Sequence, residues 1–469
     1  MRLGDIAPEL VLLGGGVVVL LYALAAPRRL QAGASVLATV VLAAAAVRTT
    51  TMLDVEETLT FADTYAVDGP ALWAKLIILG TALLTVALST RWFASDPRRG
   101  ELYAILVFST LGAVLLAGAT DLMQLILAVL LASVTAYVLA AYHRRSKMAG
   151  EAALKYYLLG ALTNGGMLYG TALLFGLAGT TTLVGLAQNV EPATGWVAAT
   201  AFALVALGLS FKVGSFPAHP WVPDVAEGAP APMAAFLTVV GKVGALVALA
   251  RLASVLPADT VGWRPLLALL AAVSMTLGNL AALTQEDVRR LLGWSSVSQA
   301  GYALMALVAL QRSELAVPAL LYFLLAYALA NLAAFGVVVR LRGLTTRSDY
   351  RGLARRRPLL AGALALSFLS FIGIPPLAGF AGKLALFAAT IEAGYTWLAV
   401  LAAANTVVSV GYYARVLAPM YFDEASGDFP AWDAVAGWAT AIAVIGFVVA
   451  GLGAEAVLDA LVGLPLLPR

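Results

Sequence analysis

Apolar residues run through this chain in blocks of about twenty, each ended by a short polar or proline-bearing segment. A helix needs about 20 such residues to cross the hydrocarbon of a bilayer. That ruler predicts about fourteen spans, near 8–26, 31–47, 70–90, 101–119, 122–142, 152–178, 193–216, 229–252, 262–284, 291–310, 314–340, 358–391, 395–420 and 433–462. The paired prolines Pro375 and Pro376 make the 358–391 stretch one discontinuous helix. The first apolar run, from Leu10 to Ala26, leads straight into the stop-transfer pattern "PRR" (27–29) and reads as a span, not a cleaved leader.

Composition agrees with the pattern. The chain has 469 residues, 62% hydrophobic and 12% charged, with mean hydropathy +0.92. A soluble domain carries roughly 25% charged residues. The expected fold is an all-α polytopic membrane protein, a single membrane domain over 1–469 with no soluble domain larger than a loop. There is no cysteine, and the only histidines are His143 and His219. Disulfides, thiolate metal sites and iron–sulfur ligation are excluded, and a haem pair or histidine-based zinc site lacks ligands. Neither a redox cofactor nor a nucleic-acid partner is expected of this chain; its surroundings are the lipid bilayer.

An even number of spans leaves both termini on one side. With the termini outside, the inside loops collect nineteen arginines and lysines, Arg144 among them, and the outside six, Arg2, Arg48, Arg251, Arg264, Arg312 and Arg469, the asymmetry of cytoplasmic loops. Both termini are therefore expected on the non-cytoplasmic side, and the acidic loop 54–68 falls there too.

Four lysines do not fit this distribution: Lys75, Lys212, Lys242 and Lys383 all lie inside spans. A lysine at the centre of a membrane helix costs about 2.5–3.5 kcal/mol. Lys75 is close enough to the end of its span to be expected to snorkel to the outer surface. Lys242 lies mid-span in "FLTVVGKVGALVAL" with no acid in the same span. Lys212 precedes "FPAHPWVPDVAEGAPAP" and Lys383 follows "IPPLAGFAG", so each stands beside a predicted helix break. Unpaired backbone at membrane depth is tolerated only when buried in protein or lining water, and broken helices with adjacent charge are a transporter device. Burial disfavours an ammonium and a nearby carboxylate favours it, so such lysines are candidate proton carriers. Asp224 and Glu227 read as solvated carboxylates of a cytoplasmic-side turn. No nucleophile elbow, zincin helix, Walker loop or dinucleotide-binding glycine fingerprint is present.

The block "FKVGSFPAHPWVPDVAEGAPAPMAAFLTVVGKVGA" resembles the antiporter-like subunits of respiratory complex I, as does "LGNLAALTQEDVRRLLGWSSVSQAGY" (277–302). With "EAALKYYLLGAL" (151–162) and "LSFIGIPPLAGFAGKLALF" (369–387), the chain looks most like the N subunit of bacterial NADH:quinone oxidoreductase. The resemblance implies a proton-translocating membrane-arm subunit in a bacterial plasma membrane. NADH, FMN, iron–sulfur clusters and quinone would then be handled by other membrane-arm and peripheral subunits. It also implies two inverted five-helix repeats with discontinuous helices, over about 100–260 and 261–422. Lys212, Lys242 and Lys383 match the family's first, central and exit lysines; His219 matches a candidate relay. Two departures stand out. Leu130, in "LAVLLASVTAYVL" (127–139), occupies the place of a glutamate that pairs with the first lysine. Gln299 replaces a histidine and leaves a position able to hold water. A paralogue that no longer pumps, a cation/proton antiporter subunit and a membrane-hydrogenase subunit share these features.

Overall fold

The computed structural model describes residues 3–143, 145–191, 194–424, 430 and 433–467. Arg2, Arg144 and Arg469, counted in the charge asymmetry, and position 193, the expected start of a span, lie outside the described residues. The first three spans are α1 (Ala7–Ala25), α2 (Gly33–Thr50) and α3 (Gly69–Ser89). Between α2 and α3 the acidic loop folds into a hairpin of β1 (Thr58–Thr60) and β2 (Tyr65–Val67). Next come α4 (Arg99–Gly118), α5 (Leu122–Ala140), α6 (Lys147–Ala178) and the short α7 (Leu183–Asn189). The first interrupted region comprises α8 (Gly195–Val213), α9 (Trp221–Gly228), α10 (Ala231–Leu237) and α11 (Val240–Val255). After the one-turn α12 (Ala258–Val261) follow α13 (Trp263–Ala282), α14 (Val288–Ala309), α15 (Ala316–Arg340) and the short α16 (Leu353–Arg356). The second interrupted span is α17 (Pro358–Ile372) with α18 (Ala378–Glu392), and the chain closes with α19 (Thr396–Phe422), α20 (Ala434–Leu452) and α21 (Ala454–Asp459).

Among the described residues thirteen stretches are long and apolar enough to cross a membrane, and α17 with α18 makes the fourteenth crossing. The multi-pass architecture expected from the sequence is thus present, including the break in the 358–391 span. The 229–252 span differs. It reads as continuous, yet the helix lapses at Thr238–Val239 between α10 and α11. No proline stands there, which is why the sequence gives no warning.

The local chemistry of the chain repeats. Asp121 caps α5 through the Met123 and Gln124 amides, and Asp287 caps α14 through those of Arg289 and Arg290. Each capping residue also bridges to a threonine of a later loop, Asp121 to Thr182 and Asp287 to Thr346. Glycine sets the helix crossings the same way: Gly112 of α4 lies on the backbone of Ala132, and Gly278 of α13 on that of Ser298. A carboxylate at an N-cap satisfies free amides and favours the positive end of the helix dipole, which explains why these turns tolerate so little polar sequence.

Two ion pairs tie the N-terminal helices to the rest. Lys75 does not snorkel. It is fully buried, its Nζ 2.8 Å from Glu9 Oε1 and 5.0 Å from the centre of the Tyr65 ring. Tyr65 donates to the same Glu9 oxygen at 2.5 Å. An ammonium that meets a carboxylate inside the protein has no need to reach water, and Glu9 lies on α1, outside the lysine's own span. Arg251, counted above as an outside charge, is also fully buried. It grips both Asp68 oxygens at 2.7 Å and donates to the carbonyls of Ala117 and Leu466. Arg264 is likewise buried, spending its donors on the Val308 and Leu310 carbonyls. Breaking one partner of a buried pair leaves an uncompensated charge. Lys75→Met is expected to destabilise the chain by about 3–5 kcal/mol, with much of the loss recovered in Glu9→Gln/Lys75→Met; thermal unfolding in detergent compares the two variants.

Candidate functional site

The three deep lysines gather around the helix breaks. α8 ends at Gly214, whose φ of +76° suits a residue without Cβ, and α17 ends at Gly373 with φ of +92°. Lys212 lies in the last turn of α8, before the first break. Lys383 instead lies beyond the second break, in α18, and its stem folds back over Gly373. Its Nζ donates to the Ile372 carbonyl at 3.1 Å. The Lys383 ammonium thus sits where free carbonyls and the dipole of α17 concentrate negative potential. Lys242 opens α11, directly after the lapse at Thr238–Val239. It donates to the Ser296 carbonyl at 2.7 Å and the Ser296 hydroxyl at 3.0 Å.

Exposures of 3%, 2% and 4% leave Lys212, Lys242 and Lys383 almost wholly buried. Among the described residues none of the three is in a salt bridge. Aromatic faces take the place of carboxylates: Lys242 stands 4.5 Å from the Tyr327 ring and Lys383 4.1 Å from that of Tyr302. Such contacts are worth more when desolvated. The surroundings of Lys212 are poorer. The Phe211 and Tyr156 rings lie 5.6 and 5.8 Å away. A cavity of about 10 Å³, the space one water needs, is lined beside it by Ser109, Ala132, Ala136 and Tyr156.

A polar thread runs from Lys242 to Lys383 along one face of α14. Ser296, which receives Lys242, also accepts from the Tyr327 hydroxyl at 2.7 Å. One turn on, Gln299 donates to the Phe371 carbonyl at 3.2 Å, next to the Ile372 carbonyl that receives Lys383. Lys383 also lies 3.4 Å from the Thr406 hydroxyl, itself 2.9 Å from the Tyr302 hydroxyl. On the other flank, Ser295 meets the Tyr413 hydroxyl at 2.6 Å, and Tyr412 donates to Asn279 at 3.0 Å. Between Lys212 and Lys242 the link is steric: the Lys212 stem runs over Gly241, beside Lys242 in the chain.

Residues 119–409 match the family model described as NADH:quinone oxidoreductase/Mrp antiporter, TM. NADH-quinone oxidoreductase subunit N of Mycobacterium sp. (strain JLS) is 45% identical over 365 residues, 78% of this chain and 77% of that protein. The chain belongs to the NADH-quinone oxidoreductase subunit N family. A chain in the structure of respiratory complex I from Thermus thermophilus with bound aureothin superposes with TM-score 0.85 at 34% identity, over 97% of this chain and 99% of that one. A chain of the membrane-bound sulfane sulfur reductase, an archaeal respiratory membrane complex, gives 0.88 at 22% identity over 98% and 96%, which shows a shared fold.

Within this subunit N family member, the lysines and Gln299 predicted from sequence come together, while His219 stands apart. Its ring contacts are with Phe216 at 6.1 Å and Trp294 at 5.6 Å, in the turn between α8 and α9. Leu130 lies on the outward face of α5, 38% exposed; the cavity beside Lys212 is lined from α5 by Ala132 and Ala136 instead. Asp224 and Glu227 are not free carboxylates of a turn. They sit in α9 and both pair with Arg290, at 2.7 and 2.8 Å, while Lys155 reaches Asp224 at 3.0 Å. Arg289 donates to the Ala226 and Ala229 carbonyls at the end of α9, so two consecutive arginines of α14 hold the second half of the broken helix. Sequence reasoning missed Ser296, Tyr327, Thr406 and Tyr413. Polar residues at three- and four-residue spacing inside apolar spans, as in "SSVSQ" (295–299), were the available signal.

The second break depends on close approach of its halves. A Cβ on Gly379 would overlap the Ser370 carbonyl oxygen, whereas Gly362, in α17, faces open space. Gly379→Ala is expected to cost about 1–3 kcal/mol or more and Gly362→Ala to be neutral or stabilising. Melting temperatures of the two variants in one detergent check this.

Proposed function

We propose that this chain is a proton-translocating membrane-arm subunit of a complex I-type NADH:quinone oxidoreductase, with Lys212, Lys242 and Lys383 as its proton-carrying groups. The observation that carries the reading is the run of three buried lysines, each at a helix break and without a carboxylate partner among the described residues. Two of them are joined by hydrogen-bonding groups from Ser296 to Gln299. The units 100–260 and 261–422 act as two half-channels. Five spans each, an odd number, make the second the inverted image of the first in the membrane. The redox chemistry and its cofactors belong to the partner subunits, and the arginine-rich end of the bundle faces the cytoplasm.

Protons move by exchange at the Nζ atoms. A buried ammonium is costly unless acceptors surround it. Carbonyls of Ser296 and Ile372 accept from the charged form, whereas the neutral amine offers a lone pair to an incoming proton. Displacement of α14 or α18 by a neighbouring subunit would change those acceptors and so the occupancy of each site. Gln299 does not titrate and serves as a hydrogen-bonding bridge, holding water in the exchange path. His219 lies at the cytoplasmic turn, suited to proton entry more than to exchange between lysines.

Lys242→Met is expected to abolish or strongly reduce proton translocation per NADH oxidised, read with a pH dye in proteoliposomes of the intact complex. An unchanged ratio rejects the reading. The apolar walls beside Lys212, with Ala132 and Ala136 facing it, favour a second reading in which the first half-channel is silent. In that case Lys212→Ala leaves the ratio intact while Lys383→Met does not.

A further inference from the structure

Away from the lysines, the loops after α3 and α5 meet the end of α15 around a cavity of about 330 Å³ at the arginine-rich end of the bundle. Its lining includes Trp92, Arg98, His143, Arg145 and Arg342, with Asp96 the one acid among the described lining residues. Rings hold the charged groups in place. The Arg342 guanidinium lies 4.5 Å from the Trp92 ring and donates to the Trp92 carbonyl at 3.2 Å. The Arg98 guanidinium lies 5.4 Å from the ring of Tyr142, whose hydroxyl donates to the Arg98 carbonyl. The Trp92 indole N–H donates to His143 Nε2 at 3.3 Å, leaving Nδ1 as the donor of the neutral imidazole. Burial and the Arg342 guanidinium hold His143 below the usual histidine pKa.

Among the described residues, the charge in this pocket is not neutralised from within. Asp96 approaches Arg98 only to 4.0 Å and spends one oxygen on the Arg98 amide at 2.8 Å. Arg342 spends one donor on the Trp92 carbonyl, which leaves most of the N–H groups of the guanidiniums for a ligand, and their fork matches the oxygens of a phosphate better than any other common group. The pocket opens where spans end, at the level where tryptophan and arginine meet headgroups. Basic pockets between helices at that depth suit anionic lipid heads. A volume of this size falls within the range of small-ligand sites.

We propose that this cavity binds the phosphate head of an anionic phospholipid, with Arg98, Arg145 and Arg342 as its donors and the Trp92 face beneath it. The lipid reinforces the junction of the α3–α4 and α5–α6 loops with the end of α15, which the Trp92–His143, Tyr142–Arg98 and Arg342–Trp92 hydrogen bonds already tie together.

The test uses the full chain with whatever subunits co-purify in mild detergent. Phosphatidylglycerol, phosphatidylcholine and inorganic phosphate are titrated separately and bound lipid is counted by native mass spectrometry. Phosphatidylglycerol is expected to bind the wild type tightly and Arg98→Gln/Arg342→Gln ~30-fold more weakly, the effect of removing two surface guanidiniums. Arg355→Gln removes an exposed charge from the same end of the bundle outside the cavity and is expected to leave that binding unchanged. Equal binding of the two lipids, or equal loss in Arg355→Gln, overturns the proposal. Inorganic phosphate binding as tightly as phosphatidylglycerol and displacing it reassigns the pocket to a free anion and overturns the lipid reading. Should the double variant fail to co-purify, Arg145→Gln alone, an exposed side chain, carries the same comparison.

Discussion

A helix interrupted at membrane depth frees carbonyls and amides that hydrocarbon cannot satisfy, and the polar side chains around the two breaks answer that constraint. The two breaks answer it differently. At the first, the Trp221 indole donates to the Phe211 carbonyl at 2.9 Å and the Ser274 hydroxyl accepts from the Phe216 amide at 2.9 Å. At the second, Gln299 and Lys383 donate to the consecutive carbonyls of Phe371 and Ile372. Lys383 is therefore part of the closure of its break, while Lys212 is released from that duty because a tryptophan performs it. The two lysines flank similar breaks and have unlike chemical surroundings.

α14 connects these features. Its first turn grips α9 through Arg289 and Arg290, its middle receives Lys242 through Ser296, and Gln299 reaches the second break. Ser295 meets Tyr413 of α19 from a neighbouring face. One rigid helix thus touches both breaks and the central lysine, so a shift of α14 along its axis acts on all three at once. Coupling through a packed helix needs no flexible linker, since close-packed interiors move as bodies.

Much of this was legible in the chain. Spans follow from apolar length, breaks from Pro217 and the Pro375–Pro376 pair, and the buried lysines from their misfit with their surroundings. What escaped was set by partners far away in sequence. Lys75 gives no sign of meeting Glu9, which lies on another helix, so snorkelling was the natural expectation. Arg251 reads as a loop charge until Asp68 is placed against it. The lapse between α10 and α11 carries no proline or exposed polar run, and only packing shows it. Leu130 is identified by motif position, yet its outward direction depends on how α5 is rotated, which an almost uniformly apolar helix does not encode.

The ends of the bundle are held by ion pairs of opposite character. Arg251 and Asp68 have no exposed surface, whereas Arg290, Asp224 and Glu227 keep 32%, 16% and 24% of theirs. Dissolved ions screen exposed charges over about 8 Å at physiological strength and reach buried ones far less. The end near the N-terminal hairpin is therefore indifferent to the salt around it, while the grip on α9 loosens as ionic strength rises. One half of the broken helix is fastened to the medium it faces, and the composition of that medium sets how tightly.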